Sequence, residues 1–506
     1  MHAASTNFMT SNPVRDAINA KRFLYMVELV ASERTPEAKL QEVAVGLAQV
    51  PGVLALSVTS YAGGSKGHDP IRISELIREQ GLTPNVHITC VNRDRLSARQ
   101  ALEELYSQGI ENVLALTGDY PRAANVGVAD YDLDSVQLVE MIQELREAGM
   151  PFFTSVAVSP FKYTEADCVY QYLKLEKKIA AGADMAITQV GFDARKFREL
   201  KRYVDERGLK TPLIGNVYLL PLKAAEKFSK GEPPGCWASP ELVERVREEA
   251  GAAYNGMAAR LERAAHMVAM LRGLGYAGAY LGGDHHPERL RWIIQRSEEI
   301  APRWEEFAEE ISYGKKSGFY YFESKRAPEK REFWPAVADK LGEWLPANKP
   351  GALRGAIQGV MRWVDERPSA AHALERGEYA FKKAVFGCQN CGNCVLGLME
   401  YVCPMTCPKS LRNGPCGGPL NGQCEVYPDR ACVFVEVYER AKAAGRLDDL
   451  RGYIPPRNRT LQGTSSYLNY FLERDYRPER APRLVTIEPA VEKPRADCAN
   501  AGTNSR

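Results

Sequence analysis

Eight of the chain's 12 cysteines, Cys388, Cys391, Cys394, Cys403, Cys407, Cys416, Cys424 and Cys432, fall within one short stretch. The first three repeat the two-residue spacing that lets successive thiolates turn round one iron–sulfur cube. Cys403-Pro404 and Cys407-Pro408 add the Cys-Pro signature of ferredoxin-like ligation. Eight thiolates suffice for two [4Fe–4S] clusters, for one cluster and a four-cysteine zinc site, or for zinc alone. The triplet suits a cube better than a tetrahedral ion, so iron–sulfur is favoured. Gly414, Pro415, Gly417, Gly418, Asn421 and Gly422 supply the tight turns such ligand loops need. Cys90, Cys168, Cys236 and Cys498 lie outside the module, and for Cys90 and Cys168 a buried apolar role is expected.

A second set of chemically capable residues is scattered through apolar runs of the first 300 residues. Glu28 stands between Val27 and Leu29, Thr59 ends the next run, and His87 and Thr89 sit in the third. Asp119 follows Thr117-Gly118, and Gln189 interrupts a later apolar run. Each costs free energy if buried without a partner. Singly, each is most simply a capped turn or a satisfied core polar group. Gathered at one rim, they would make a site.

The elements that carry them repeat. Apolar, β-rich runs begin at Phe23, Gly52, Asn85, Asn112, Phe152, Met185, Pro212 and Ala277, each followed by a stretch of helical period. Their starts are 29, 33, 27, 40, 33, 27 and 65 residues apart, which is βα spacing with one enlarged connection. Strands apolar throughout are buried on both faces, so eight units predict a closed (β/α)8 barrel rather than an open sheet. In such a barrel the C-terminal ends of the strands face the chemistry.

At 506 residues the chain exceeds one core and predicts a large domain with a smaller one attached. A formal net charge of +2 gives no general attraction for nucleic acid. Neither a leader pattern nor a membrane-length apolar stretch stands out, so a cytoplasmic protein is expected, where clustered cysteines hold metal rather than disulfides. The expected boundaries are a tail at 1–20, a barrel at 21–300, a helical connector at 301–385, the cysteine module at 386–440, a docking segment at 441–477 and a disordered tail at 478–506. In the connector, Trp and Tyr at helix spacing are expected to pack on the barrel.

VELV, NVHITCVNRDR, ENVLALTGDYPR and KLEKKIAAGADMAITQVGFD, in that order, resemble segments of the methylenetetrahydrofolate reductases, flavoproteins on a (β/α)8 barrel. The cysteine region and the later QGTSSYLNYFLERD resemble the cysteine-rich C-terminal domain of acetogen-type reductases. The resemblance covers residues from about 20 to 475. It implies an oxidoreductase acting on a tetrahydrofolate one-carbon substrate through a bound flavin, FAD or FMN. It implies Glu28 as general acid, Asp119 beside the flavin and pterin, and Gln189 as a pterin ligand. Thr59, His87, Gly118, Asp119, Tyr131, Asp134, Lys177 and Lys178 would hold the flavin and its phosphate. The two lysines, with Lys174 and Glu176, read equally well as a solvated helix face.

The chain also departs from the family's pattern. Its eighth strand runs Leu281-Gly-Gly-Asp284-His285-His286, where simpler members carry an Asn-Arg stretch, and the paired histidines are expected to be exposed. With no G-x-G-x-x-G after any strand, a separate dinucleotide-binding domain is absent, so NAD(P)H or a redox protein is left as donor. Homo-oligomerisation stays open. The rival readings are a folate-dependent methyltransferase on the same barrel and a non-catalytic electron-transfer or docking subunit.

Overall fold

The computed structural model describes residues 12–32, 34–59, 67–121, 129–324, 336–337, 340 and 351–475. The expected tail from 478 and Cys498 lie outside them. Eight parallel strands close into a barrel in chain order. They are β1 (Leu24–Leu29), β2 (Val53–Val58), β3 (Thr83–Thr89), β4 (Asn112–Leu116), β5 (Phe153–Val158), β6 (Met185–Thr188), β7 (Leu213–Tyr218) and β8 (Gly278–Gly282). β1 pairs with both β2 and β8, which seals the cylinder. Every strand starts within two residues of its expected place, the third at Thr83 rather than Asn85.

The helices between strands are α2 (Glu37–Ala48), α3 (Pro70–Glu79), α4 (Arg95–Ser107), α5 (Ser135–Glu147), α6 (Glu165–Ala180) and α7 (Ala194–Glu206). The enlarged connection before β8 holds α8 (Leu222–Phe228), α9 (Pro240–Ala250) and α10 (Ala253–Gly273). Alternation along each strand divides the core in two. Leu24, Met26, Ala55, Leu114, Met185 and Ile214 fill the cylinder, while Val27, Leu56, Val86, Val113 and Val217 face the helices. Burying each such side chain contributes roughly 1.5–3 kcal/mol. Residues expected as part of a tail instead form α1 (Pro13–Asn19), whose Val14 and Ala17 complete the interior cluster at the strands' N-terminal ends. Asn12 ties this plug to Asn112 at the start of β4.

After α11 (Pro287–Ile300) and α12 (Trp304–Glu310), the Trp304 ring lies against Gly273 of α10, as expected of a connector aromatic. Trp363 differs. It belongs to α13 (Ala352–Asp365), a helix without a buried residue. α14 (Pro368–Phe386) ends at Gly387, whose φ of 63° makes a left-handed cap before the first module cysteine. The module has short turns instead of long elements, then α15 (Val433–Ala443) and α16 (Ser466–Phe471). Its small core, including Val395, Met399, Leu411, Phe434, Val437 and Tyr438, packs on Ala166, Val169, Tyr170 and Leu173 of α6. Among the described residues no helix is long and apolar enough to cross a membrane.

Candidate active site

Glu28 points into the barrel. Leu24 and Met26 on the same strand fill the interior, and a period of two puts Glu28 on that face, one turn of the pleat nearer the C-terminal mouth. Its Oε2 lies over Gly282 of β8, 3.1 Å from where a Cβ at that position would stand. Burial raises its pKa above the usual carboxylate value. Tyr218, Tyr280 and Cys236 are all near enough to feel its charge.

Beneath it runs a polar layer. Asn85 donates to Ser57 Oγ at 3.0 Å, Ser155 Oγ donates to Asn85 Oδ1 at 3.2 Å, and Ser57 Oγ meets His87 Nε2 at 2.9 Å. Burial pulls the His87 pKa down to about 4, so the ring is neutral near pH 7. Thr59, just beyond β2, is buried and stays within 3.5 Å of the Leu29 carbonyl. Gln189 follows β6. Its Oε1 accepts from Val190 N at 2.7 Å and from the Cys236 thiol at 3.7 Å, and its Nε2 lies beside Gly235.

The turn after β4 supplies Asp119, which is exposed in the mouth. Gly118 has φ +85°, and a Cβ there would meet Val91 Cγ1 at 2.9 Å, so only glycine fits. The buried Tyr131 hydroxyl donates to the Asp119 carbonyl at 3.1 Å. Glu28, Thr59, His87, Gly118, Asp119 and Gln189 thus share one end of the barrel.

Of the remaining expected cofactor ligands, Asp134 and Lys178 have other partners. Asp134 caps α5, its Oδ1 accepting from Val136 N and Gln137 N, while its Oδ2 accepts from Arg412 N, Asn413 N and Asn413 Nδ2. Lys178 donates to the Ala157 carbonyl at 2.7 Å. The solvated-face reading of α6 is wrong: Lys174, Glu176, Lys177 and Lys178 are all buried, because the cysteine module covers that side. Burial pulls Lys177 and Lys178 down to about 7. His286 is exposed as expected, but His285 is half-buried against the main chain of Glu28, and its Nε2 is sealed from solvent without a hydrogen-bond partner.

The cysteines fall into two sets of four. Cys388, Cys391, Cys394 and Cys403 line one cavity together with Lys382 and Arg412. Cys407, Cys416, Cys424 and Cys432 lie within electrostatic reach of one another. Burial pushes the Cys403 thiol up to about 11 and the Cys432 thiol up to about 12. Among the described residues no three His, Cys, Asp or Glu side chains converge closely enough to hold one ion.

Sequence reasoning missed the residues that join module to mouth. Lys162 donates to the Gly417 and Pro419 carbonyls at 2.7 and 2.5 Å, Lys174 to Gly414 and Pro415 at 3.1 and 2.8 Å, and Gln171 to Cys416 at 2.8 Å. Lys409 of the module reaches the Gly118 carbonyl at 2.8 Å. No local pattern marks these contacts, since each joins residues 240 or more positions apart.

Residues 13–248 match the family model described as methylenetetrahydrofolate reductase, and residues 368–460 match that described as methylene-tetrahydrofolate reductase C terminal. A 5,10-methylenetetrahydrofolate reductase of Pectobacterium carotovorum is 27% identical over 177 residues, 35% of this chain and 56% of the relative. The Escherichia coli protein of the same name is 29% identical over 34% of this chain and 57% of its own length. Methylenetetrahydrofolate reductase 2 of Saccharomyces cerevisiae is 31% identical over 29% of this chain and 25% of its own. The chain thus spans little more than half the length of the bacterial relatives it matches. With the barrel through β7 matched by one model and the cysteine module by the other, the chain carries a methylenetetrahydrofolate reductase domain followed by that family's C-terminal domain.

Proposed function

We propose that this protein is a flavin-dependent methylenetetrahydrofolate reductase, interconverting 5,10-methylene- and 5-methyltetrahydrofolate in the cytoplasm. The observation that carries the reading is Glu28, a carboxyl of raised pKa aimed into the mouth that Asp119 and Gln189 also line. Methylenetetrahydrofolate becomes reducible only when its five-membered ring opens to an iminium, and ring opening needs a proton on the leaving nitrogen. Burial makes Glu28 hold its proton more firmly than an ordinary carboxyl, and Glu28 delivers it to that nitrogen. Asp119 offers a negative charge to the cation that forms. Gln189, its oxygen already engaged, presents amide hydrogens to acceptor atoms of the pterin. Thr59, neutral His87 and the glycine turn at Gly118 fit the flavin's ring system, and Lys177 stays a candidate for its phosphate. A bound flavin, FAD or FMN, would supply the hydride from N5 to the methylene carbon.

The two cysteine sets match the ligand count of two four-thiolate clusters. Iron–sulfur is preferred to zinc because the spacing of Cys388, Cys391 and Cys394 suits a cube better than a tetrahedral ion. Such clusters would supply single electrons from NAD(P)H-linked or protein donors. The test is Glu28→Gln in anaerobically purified protein. Flavin content and reduction by the donor should stay at the parent level, while folate turnover falls by about 100-fold or more, the usual weight of a general acid. Unchanged folate turnover would refute the acid assignment, and a colourless, flavin-free parent would refute the reductase reading.

A further inference from the structure

The turn that carries Asp119 is gripped by a residue of the cysteine module. Lys409 Nζ donates to the Gly118 carbonyl at 2.8 Å across 291 positions of sequence. That carbonyl belongs to the peptide plane joining Gly118 to Asp119, so fixing it fixes the direction in which the Asp119 side chain leaves the turn. Gly118 itself, at φ +85° and pressed against Val91, has little freedom to compensate. Tyr131 holds the next carbonyl, that of Asp119, at 3.1 Å, and the Lys409 ammonium stands 5.7 Å from the centre of its ring.

Lys409 is itself immobilised. Its side chain is 2% exposed and ion-paired to Glu425, which is 3% exposed. Glu425 in turn accepts from the Cys416 thiol at 3.3 Å and follows Cys424 in sequence. Adhesion between module and barrel does not need this lysine, because Lys162, Lys174, Gln171 and Asp134 already join the two. Among these contacts only Lys409 reaches the turn that bears Asp119.

We propose that Lys409 is a positioning residue for Asp119, so that the cysteine module sets the geometry of the barrel mouth as well as covering it. A displacement of Cys416 or Cys424 is passed through one ion pair to one carbonyl of the mouth. The proposal rests on the reading of Asp119 as the charge that faces the reactive cation.

The experiment uses the full-length holoprotein. Lys409→Met with Glu425→Gln removes both charges together, so neither is left buried alone. Amide exchange across residues 114–121 should quicken by about 10-fold. The folate kcat should fall by about 10-fold or more while KM moves by less than about threefold, the pattern of an interaction made in the transition state. Lys409→Arg, which keeps the charge, should recover part of the loss. Added to Asp119→Asn, the pair substitution should cost no more than about a further twofold, because both act through one carboxylate.

The proposal is overturned if the pair variant keeps exchange and kcat within about twofold of the parent, or if its loss multiplies in full with that of Asp119→Asn. If the pair variant does not fold, Lys409→Arg decides alone: slower turnover with faster exchange at the turn supports the proposal, and parent behaviour in both overturns it. Full turnover by Asp119→Asn itself would defeat the functional reading. The exchange measurement would then still decide whether Lys409 holds the turn.

Discussion

The barrel and the cysteine module are buried by opposite means. The barrel closes over two apolar layers whose members recur at strand and helix periods, with polar groups gathered in its mouth, in one internal layer and in buried pairs such as Lys196–Glu199. The module has a small apolar core and is seated by charged side chains on main-chain carbonyls. Apolar layers tolerate imperfect fit, whereas a buried ammonium without its acceptors is strongly destabilising. The barrel should therefore respond to damage gradually and the module abruptly.

The sharpest way to break that contrast is Lys174→Ala, which leaves the carbonyls of Gly414 and Pro415 without their buried donor and opens a cavity beside Tyr170. A loss of about 2–6 kcal/mol, about 1–3 for each carbonyl left without its donor, is expected to fall on the module. Calorimetry should show a module transition moved to lower temperature with the barrel transition unmoved; a single joint shift would mean that the two regions fold as one. Leu271→Ala is the matching injury to the barrel, where this side chain packs directly on Gly215 of β7. It should cost about 2–5 kcal/mol in chemical denaturation and leave the module's seating intact. Loss of the module's protease resistance in that variant would erase the distinction.

The smallest effect concerns the mouth. Glu28 has a folded pKa above its unfolded value of 4.5, so the folded state binds the extra proton and stability falls as pH rises from 4.5 through the raised folded pKa. Glu28→Gln should therefore melt at the parent's temperature near pH 4 and above it at pH 8. Equal melting temperatures at both values would show that burial does not strain the carboxyl.

The same contrast explains what could be read from the amino acids alone. Strands were legible because Val, Ile and Leu runs recur at βα spacing, and Glu28 and Gln189 stood out as polar residues inside them. On α6 the reading failed. Lys174, Glu176 and Lys178 look like a wet helix face until the module is laid over them, and Glu176 ends fully buried between Arg207 and Arg451. Asp134, a flavin-holding residue by resemblance, satisfies amides on both sides of the domain junction. Cys236 gave no local hint of its contact with Gln189, since it arrives on the long connection between β7 and β8. Periodicity encodes what a segment buries, whereas these roles depend on which distant segment does the burying.

The helix at the start of the described chain has a further consequence. Because Leu24, Met26, Leu114, Met185 and Ile214 fill the cylinder and Val14 and Ala17 close its far end, the vessel is blind. Whatever enters must leave through the same doorway, and a departing molecule obstructs the next arrival. Traffic through this protein should therefore be sequential, with visitors taking turns rather than passing one another.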